Sequence, residues 1–186
     1  MNFVIFLYLL NTLLILLFVI FLAAVALIIL QTILNGISPM PSTNKVRSEM
    51  LRLICDLDTP HKIIDLGSGW GNLSFAFARK FSLAKVIGYE NSLVPYLFSV
   101  CLNCIFKYNN LQFHFYNFFK ISFNDADLIV CYLFPGAMKL LEQKFQQELK
   151  PGAVVVTNTF ALPNKKPFNV IQVNDFYRTK IYLYVF

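Results

Sequence analysis

Ile63-Ile64-Asp65-Leu66-Gly67-Ser68-Gly69-Trp70-Gly71 reads as a buried β-strand that runs into a glycine-rich turn and opens a helix at Asn72. Glycines at such a turn tolerate positive φ and let the backbone approach a ligand closely. The amides at the start of the following helix then face that ligand. Two details separate the turn from the dinucleotide fingerprint. Its third glycine would fall at position 72, which is Asn72, so the pattern is GxGxG. An acid, Asp65, also stands two residues ahead of the first glycine, where it can meet a cationic ligand group directly or through water. About twenty residues on, Glu90 ends the next strand, where a carboxylate suits both hydroxyls of an adenosine ribose.

Outward from this stretch the pattern alternates. Lys62 to Leu66, Lys85 to Tyr89, Leu111 to Tyr116, Leu128 to Tyr132 and Ala153 to Thr157 read as strands, while Asn72 to Phe81, Leu93 to Tyr108 and Ala137 to Leu149 read as helices. Such alternation implies a parallel sheet covered on both faces. Phe168 to Val173 and Thr179 to Phe186 break it, being two strand-like runs separated by a short polar turn. The fold class is therefore α/β, a mostly parallel seven-stranded Rossmann-like sheet with a C-terminal antiparallel hairpin, which is the plan of class I methyltransferases. With Asp65 and Glu90 placed as they are, the expected ligand is S-adenosyl-L-methionine. Asn117 and Phe118 follow the third strand and can hold the adenine edge and face, or form an ordinary strand-end turn. Tyr132 and Phe134 leave the fourth strand, and Phe160 and Pro163 the fifth. They can wall a methyl-acceptor pocket, or serve as core aromatics in a chain with 20 phenylalanines.

Ahead of this domain the chain has a different composition. No charged side chain occurs from Phe3 to Leu34, and Leu13 to Leu30 is apolar without interruption. At about 1.5 Å rise per residue, such a helix spans a hydrocarbon core of roughly 30 Å. A cleaved signal peptide fits less well, since no Lys or Arg precedes the apolar run and residues 35–40 make a poor cleavage site. The expected organisation is a transmembrane anchor over 1–37, a linker over 38–44 and a catalytic domain over 45–186. All 16 basic and 10 acidic residues lie at or beyond Lys45, so the net charge of +6 belongs to the part outside the span. Lys45, Arg47 and Arg52 follow the span closely and place the domain on the cytoplasmic side, at the bacterial inner membrane or, in a eukaryote, the mitochondrial inner membrane. The bilayer is thus an expected partner. Nucleic acid is not, because beyond Lys165-Lys166 there is no basic run interleaved with aromatics.

The four cysteines, at 55, 101, 104 and 131, fall in apolar elements and read as reduced core residues. Cys101 and Cys104 make a CxxC inside a predicted helix without a second pair, so no metal site is expected. His61 and His114 read as structural, which leaves no evident catalytic base.

Several segments together resemble a known family: MPSTNKV at 40–46, IIDLGSGWGNL at 63–73, VIGYENSLV at 86–94, FYNFFKISF at 115–123, the run from Ala126 to Val156, and TFALP at 159–163. They are similar to the short membrane-anchored lysine methyltransferases, which include the enzymes modifying the ATP synthase c subunit and the adenine nucleotide translocase. The resemblance covers most of residues 39 to 163. Pro41-Ser42-Thr43, the Glu90-Asn91 pair and the LExKxxxEL stretch from Leu141 to Leu149 narrow it. One departure stands in the turn, where the family usually reads GDG or GAG and this chain has Gly69-Trp70-Gly71. The resemblance implies methylation of a lysine on a membrane protein. The candidate cofactor set is then Asp65, Gly67, Ser68, Gly69, Gly71, Glu90, Asn91, Asn117 and Phe118. Pro41 and Thr43 join Tyr132, Phe134, Phe160 and Pro163 around the acceptor. A lipid or quinone methyltransferase, and a non-catalytic membrane adaptor that keeps the fold, are the competing expectations.

Overall fold

Strand order fixes where a ligand can sit in an open α/β sheet, and here the order across the sheet is Leu111–Phe115, Lys85–Glu90, Lys62–Leu66, Leu128–Cys131, Val154–Asn158, Lys180–Val185, Asn169–Gln172. The computed structural model describes residues 2–36, 40–55 and 60–186. Residue 37 of the expected anchor, residues 38–39 of the expected linker, and residues 56–59 of the expected catalytic domain lie outside the described residues. The chain divides into two compact units, 1–38 and 39–186.

The first unit is one helix, α1 (Asn2–Asn35). Within it, Phe3–Ile33 has a mean hydropathy of 3.6, and the helix is long and apolar enough to cross a membrane. Its threonine hydroxyls are satisfied internally. Thr12 donates to the Tyr8 carbonyl at 2.8 Å and Thr32 to the Ile28 carbonyl at 2.7 Å, so neither needs water.

The second unit starts with α2 (Asn44–Cys55). Its first turn is capped by the Thr43 hydroxyl, which accepts the Val46 N–H at 3.3 Å. Val46, Met50 and Ile54, spaced by four, form its buried stripe. There follow β1 (Lys62–Leu66), α3 (Asn72–Lys80), β2 (Lys85–Glu90), α4 (Leu93–Phe106), β3 (Leu111–Phe115), a 3-10 turn (Phe118–Lys120), β4 (Leu128–Cys131), α5 (Pro135–Glu148), β5 (Val154–Asn158), β6 (Asn169–Gln172) and β7 (Lys180–Val185). The first five strands are parallel, and β7 pairs antiparallel with both β5 and β6.

Alternation along each strand feeds two cores. Leu128, Val130 and Val156 face a cluster with Met50 of α2 and Phe77 of α3, whereas Ile129, Cys131 and Val155 face one with Met138, Leu141 and Phe145 of α5. The expected elements are all present, with ends moved by one or two residues. Helix α4 ends at Phe106 because Lys107 turns left-handed at φ 56° and donates its N–H to the Asn103 carbonyl.

Two cysteines correct the expectation of core residues. Cys131 is buried, but Cys101 and Cys104 are exposed. Helix α4 buries Pro95 and Ser99, and Asn103 binds the Leu111 carbonyl of β3, so the cysteines fall on the opposite face. With no charge between Leu93 and Phe106, the sequence carried no mark of which face is turned outward.

The LExKxxxEL stretch has a structural role. Glu142, 2% exposed, accepts hydrogen bonds from the Asn164 N–H at 3.0 Å, the Asn164 side-chain amide at 2.9 Å and the Lys165 N–H. It clamps the segment after β5 onto α5. Glu148 accepts the Phe123 N–H at 2.9 Å and pairs with Lys144, tying the β3–β4 connection to the same helix.

Candidate active site

The strand order reverses direction between β1 and β4, so crossover connections leave to opposite sides there and open a crevice at the strands' carboxyl ends. The glycine turn after β1 lies at that point. Gly67 and Gly71 have φ of 68° and 82°. A Cβ on Gly67 would stand 2.7 Å from Leu133 Cδ2, and one on Gly71 would stand 2.8 and 2.9 Å from the Phe75 and Phe113 rings. The turn is tied down from below: the Gly67 and Ser68 amides donate to the Tyr89 carbonyl at 2.9 and 3.0 Å, and the Gly71 amide to the Ser68 carbonyl at 2.8 Å.

Both acids are buried here, and they differ in their partners. Glu90 is 5% exposed; one oxygen accepts the Gly69 N–H at 2.7 Å and the other the N–H groups of Asn91 and Ser92 at 3.0 and 2.7 Å. The carboxylate therefore braces the turn it was expected to serve. Asp65, 1% exposed, accepts a hydrogen bond from the Ser74 hydroxyl at 2.6 Å. Burial pushes its carboxyl up to about 7, Ser74 partly opposes the shift, and the Glu90 charge adds to it. Among the described residues no cation pairs with Asp65, so a cationic ligand group would relieve it. Ser68 Oγ is buried, close above Gly88, and has no hydrogen-bond partner among the described residues. An orphaned hydroxyl at the crevice is the mark of a site for a polar ligand.

The remaining expected residues separate into those at the turn and those beside it. The Phe118 ring lies 3.9 Å from where a Gly67 Cβ would be, and is buried. Asn117 is exposed, and its side-chain oxygen accepts the Phe119 N–H at 2.9 Å as cap of the 3-10 turn. Asn91 is exposed. Trp70 packs its ring edge-on to Phe98 of α4, with centroids 5.2 Å apart.

A cavity of about 440 Å³ opens at the same sheet edge, lined by Met40, Tyr132, Thr159, Tyr177, Arg178, Thr179 and Lys180. Two lining residues, Thr159 and Arg178, hold φ of 68° and 49°, conformations that non-glycine residues adopt at a cost. The Thr159 N–H donates to the Lys180 carbonyl at 2.8 Å, which closes the hairpin against the end of β5. Of the six expected acceptor residues, Tyr132 lines this cavity. Phe134 and Phe160 pack against the α5-side core, Thr43 caps α2, and Pro41 and Pro163 are exposed. Thr159, just after β5, and the hairpin residues Tyr177, Arg178, Thr179 and Lys180 carry no local sequence signal of a site. Residues 174–179 look locally like a plain polar turn, and only long-range pairing of β7 with β5 brings them to the site.

Five parallel strands, an antiparallel β7–β6 edge and a glycine turn with flanking acids at the switch point define a class I methyltransferase domain. The structure of an RNA methyltransferase from Salinibacter ruber, in complex with S-adenosyl-L-homocysteine, has the same fold at a TM-score of 0.70 with 22% identity, covering 78% of this chain and 93% of that one. A family model described as the ANTKMT methyltransferase domain matches residues 65–169, and the chain belongs to that family. The adenine nucleotide translocase lysine N-methyltransferase of Mus musculus is 34% identical over 115 residues, 60% of this chain and 49% of the mouse protein. A protein-lysine N-methyltransferase of Saccharolobus islandicus (strain REY15A) is 28% identical over 150 residues, 78% of this chain and 91% of the relative. The chain thus spans about half the length of the mouse relative and nearly all of the archaeal one.

Proposed function

We propose that this chain is an S-adenosylmethionine-dependent protein-lysine methyltransferase, held by α1 in a membrane and acting on a lysine of a membrane protein. The observation that carries the reading is the meeting, at one sheet edge, of a glycine turn with two buried acids and an open cavity walled by tyrosines. When bound, S-adenosylmethionine supplies a methyl group activated by a sulfonium. Gly67, Ser68, Gly69 and Gly71 provide close backbone approach. With the cofactor bound, Asp65 would neutralise its ammonium, and Phe118 with Asn117 would border the adenine. Glu90, braced by the Gly69, Asn91 and Ser92 amides, would accept the ribose hydroxyls on its remaining lone pairs, beside Asn91.

The acceptor must arrive uncharged. Removing a proton from a lysine with a reference pKa near 10.4 costs about 4.6 kcal/mol at pH 7. Tyr132 and Tyr177 desolvate the ammonium, and the cations Arg178 and Lys180 repel it, so both effects lower that cost without a dedicated base. Alignment then supplies the rate, since positioning two reactants is worth several kcal/mol. The mouse relative is named for a membrane protein's lysine, which supports a similar acceptor here. The Phe3–Ile33 segment supports the anchor, and Lys45, Arg47 and Arg52 support a domain on the cytoplasmic side.

Membranes incubated with the full chain and methyl-labelled cofactor, then separated into protein and lipid, test the acceptor. Label is expected in protein, recovered as methyl-lysine after hydrolysis. Label confined to the lipid fraction would overturn the proposal in favour of a lipid methyltransferase.

A further inference from the structure

The tip of the β6–β7 hairpin carries two aromatic rings pointing outward. Phe176 is 94% exposed and Tyr177 75% exposed, their rings edge-on with centroids 5.2 Å apart. The tip is a braced turn. The Asp175 carboxylate accepts the Thr179 N–H at 2.8 Å and its hydroxyl at 2.7 Å, and the Val173 N–H donates to the Thr179 carbonyl at 2.8 Å. From α2, Lys45 donates to the Asn174 carbonyl at 3.0 Å. Arg178 and Lys180 follow the rings in the chain and Lys45 binds the turn ahead of them; all three are exposed, while the acid of the turn is engaged by Thr179.

We infer that this tip is a membrane-contact element that seats Phe176 and Tyr177 in the headgroup layer of an anionic bilayer and brings the mouth of the acceptor cavity to that level. This rests on the membrane-anchored reading above. Paired aromatic rings flanked by cations match the chemistry of the bilayer interface, where rings lie at headgroup depth and Lys and Arg meet anionic lipid. Chain length supports it as well. Met40, which lines the cavity, follows Ile33, the last residue of the apolar segment, by seven positions in the sequence. Tyr177 and Arg178 belong to both the tip and the cavity. The acceptor is therefore a lysine at the membrane–water boundary, at the end of a membrane helix or in a short loop.

Helix α4 offers another exposed apolar face, including Ile105 at 65% exposure, and serves as the control. The full chain is reconstituted in phosphatidylcholine vesicles with and without phosphatidylglycerol, as the parent and as the F176W and I105W variants. The parent supplies the Trp70 background. Co-flotation with the vesicles reports on the anchor, and quenching by brominated lipid reports on the tip. The added F176W emission is expected to shift to shorter wavelength and to lose intensity with brominated lipid, more so with phosphatidylglycerol present. F176W emission that stays water-like and unquenched in a chain that co-floats, with or without quenching of I105W, overturns the tip contact and leaves the anchor standing. A chain that does not co-float overturns both.

Discussion

Between about pH 4 and pH 7 the ligand-free protein should become progressively easier to unfold, and Asp65→Asn should remove most of that loss. The native carboxyl titrates at about 7, raised chiefly by burial, and the unfolded one near 3.9. Inside that window the native state keeps a proton that the unfolded state has released, so the unfolding free energy falls as pH rises. Above about pH 7 the loss is complete, and over three pH units it amounts to about 4 kcal/mol. Asparagine retains the acceptor for Ser74 and carries no charge to desolvate. Hydrogen bonds from Lys62 and Thr179 hold Asp125 and Asp175 below the ordinary range, so those groups act in the opposite direction and at more acid pH. Thermal unfolding of both chains in detergent micelles across pH 4 to 8 reads the difference. Parallel pH profiles for the two would refute the assignment of the slope to Asp65.

Gly71→Ala should be the most damaging single methyl group that can be added to the glycine turn. The φ of 82° costs a side chain roughly 1–2 kcal/mol. The new Cβ would also meet the Phe75 ring at 2.8 Å and the Phe113 ring at 2.9 Å, and overpacking of this kind costs about 1–3 kcal/mol. Together they predict a loss of about 2–5 kcal/mol, with weaker cofactor binding because the Gly71 amide anchors the turn to Ser68. Gly152→Ala isolates the backbone part. Its φ is 86° with nothing within 4 Å of the Cβ, so it should lose only the first contribution. Equal losses at the two glycines, measured by denaturant unfolding, would show that the rings yield freely.

These effects concentrate where local sequence was most informative. The glycine turn, its acids and the strand–helix alternation are carried by near neighbours in the chain, and the parallel order follows from handed crossovers. The acceptor side is different. Tyr132 was legible because it follows a strand, but Thr159 and residues 177–180 reach the cavity through β7–β5 pairing, which no short window contains. Glu90 shows a subtler limit. Its position was clear, yet nothing local says that its oxygens already brace Gly69, Asn91 and Ser92. The exposure of Cys101 and Cys104 was hidden for a related reason: a helix apolar all round does not disclose which face is packed.

Titration calorimetry of the full chain in detergent with S-adenosylmethionine tests the central claim most directly. One-to-one binding is expected, tighter at pH 8 than at pH 6 by up to about tenfold, as Asp65 must be ionised to receive the ligand's ammonium. No binding heat at either pH, from a chain shown to be folded, would contradict the assignment of the glycine turn and its acids as a methyl-donor site.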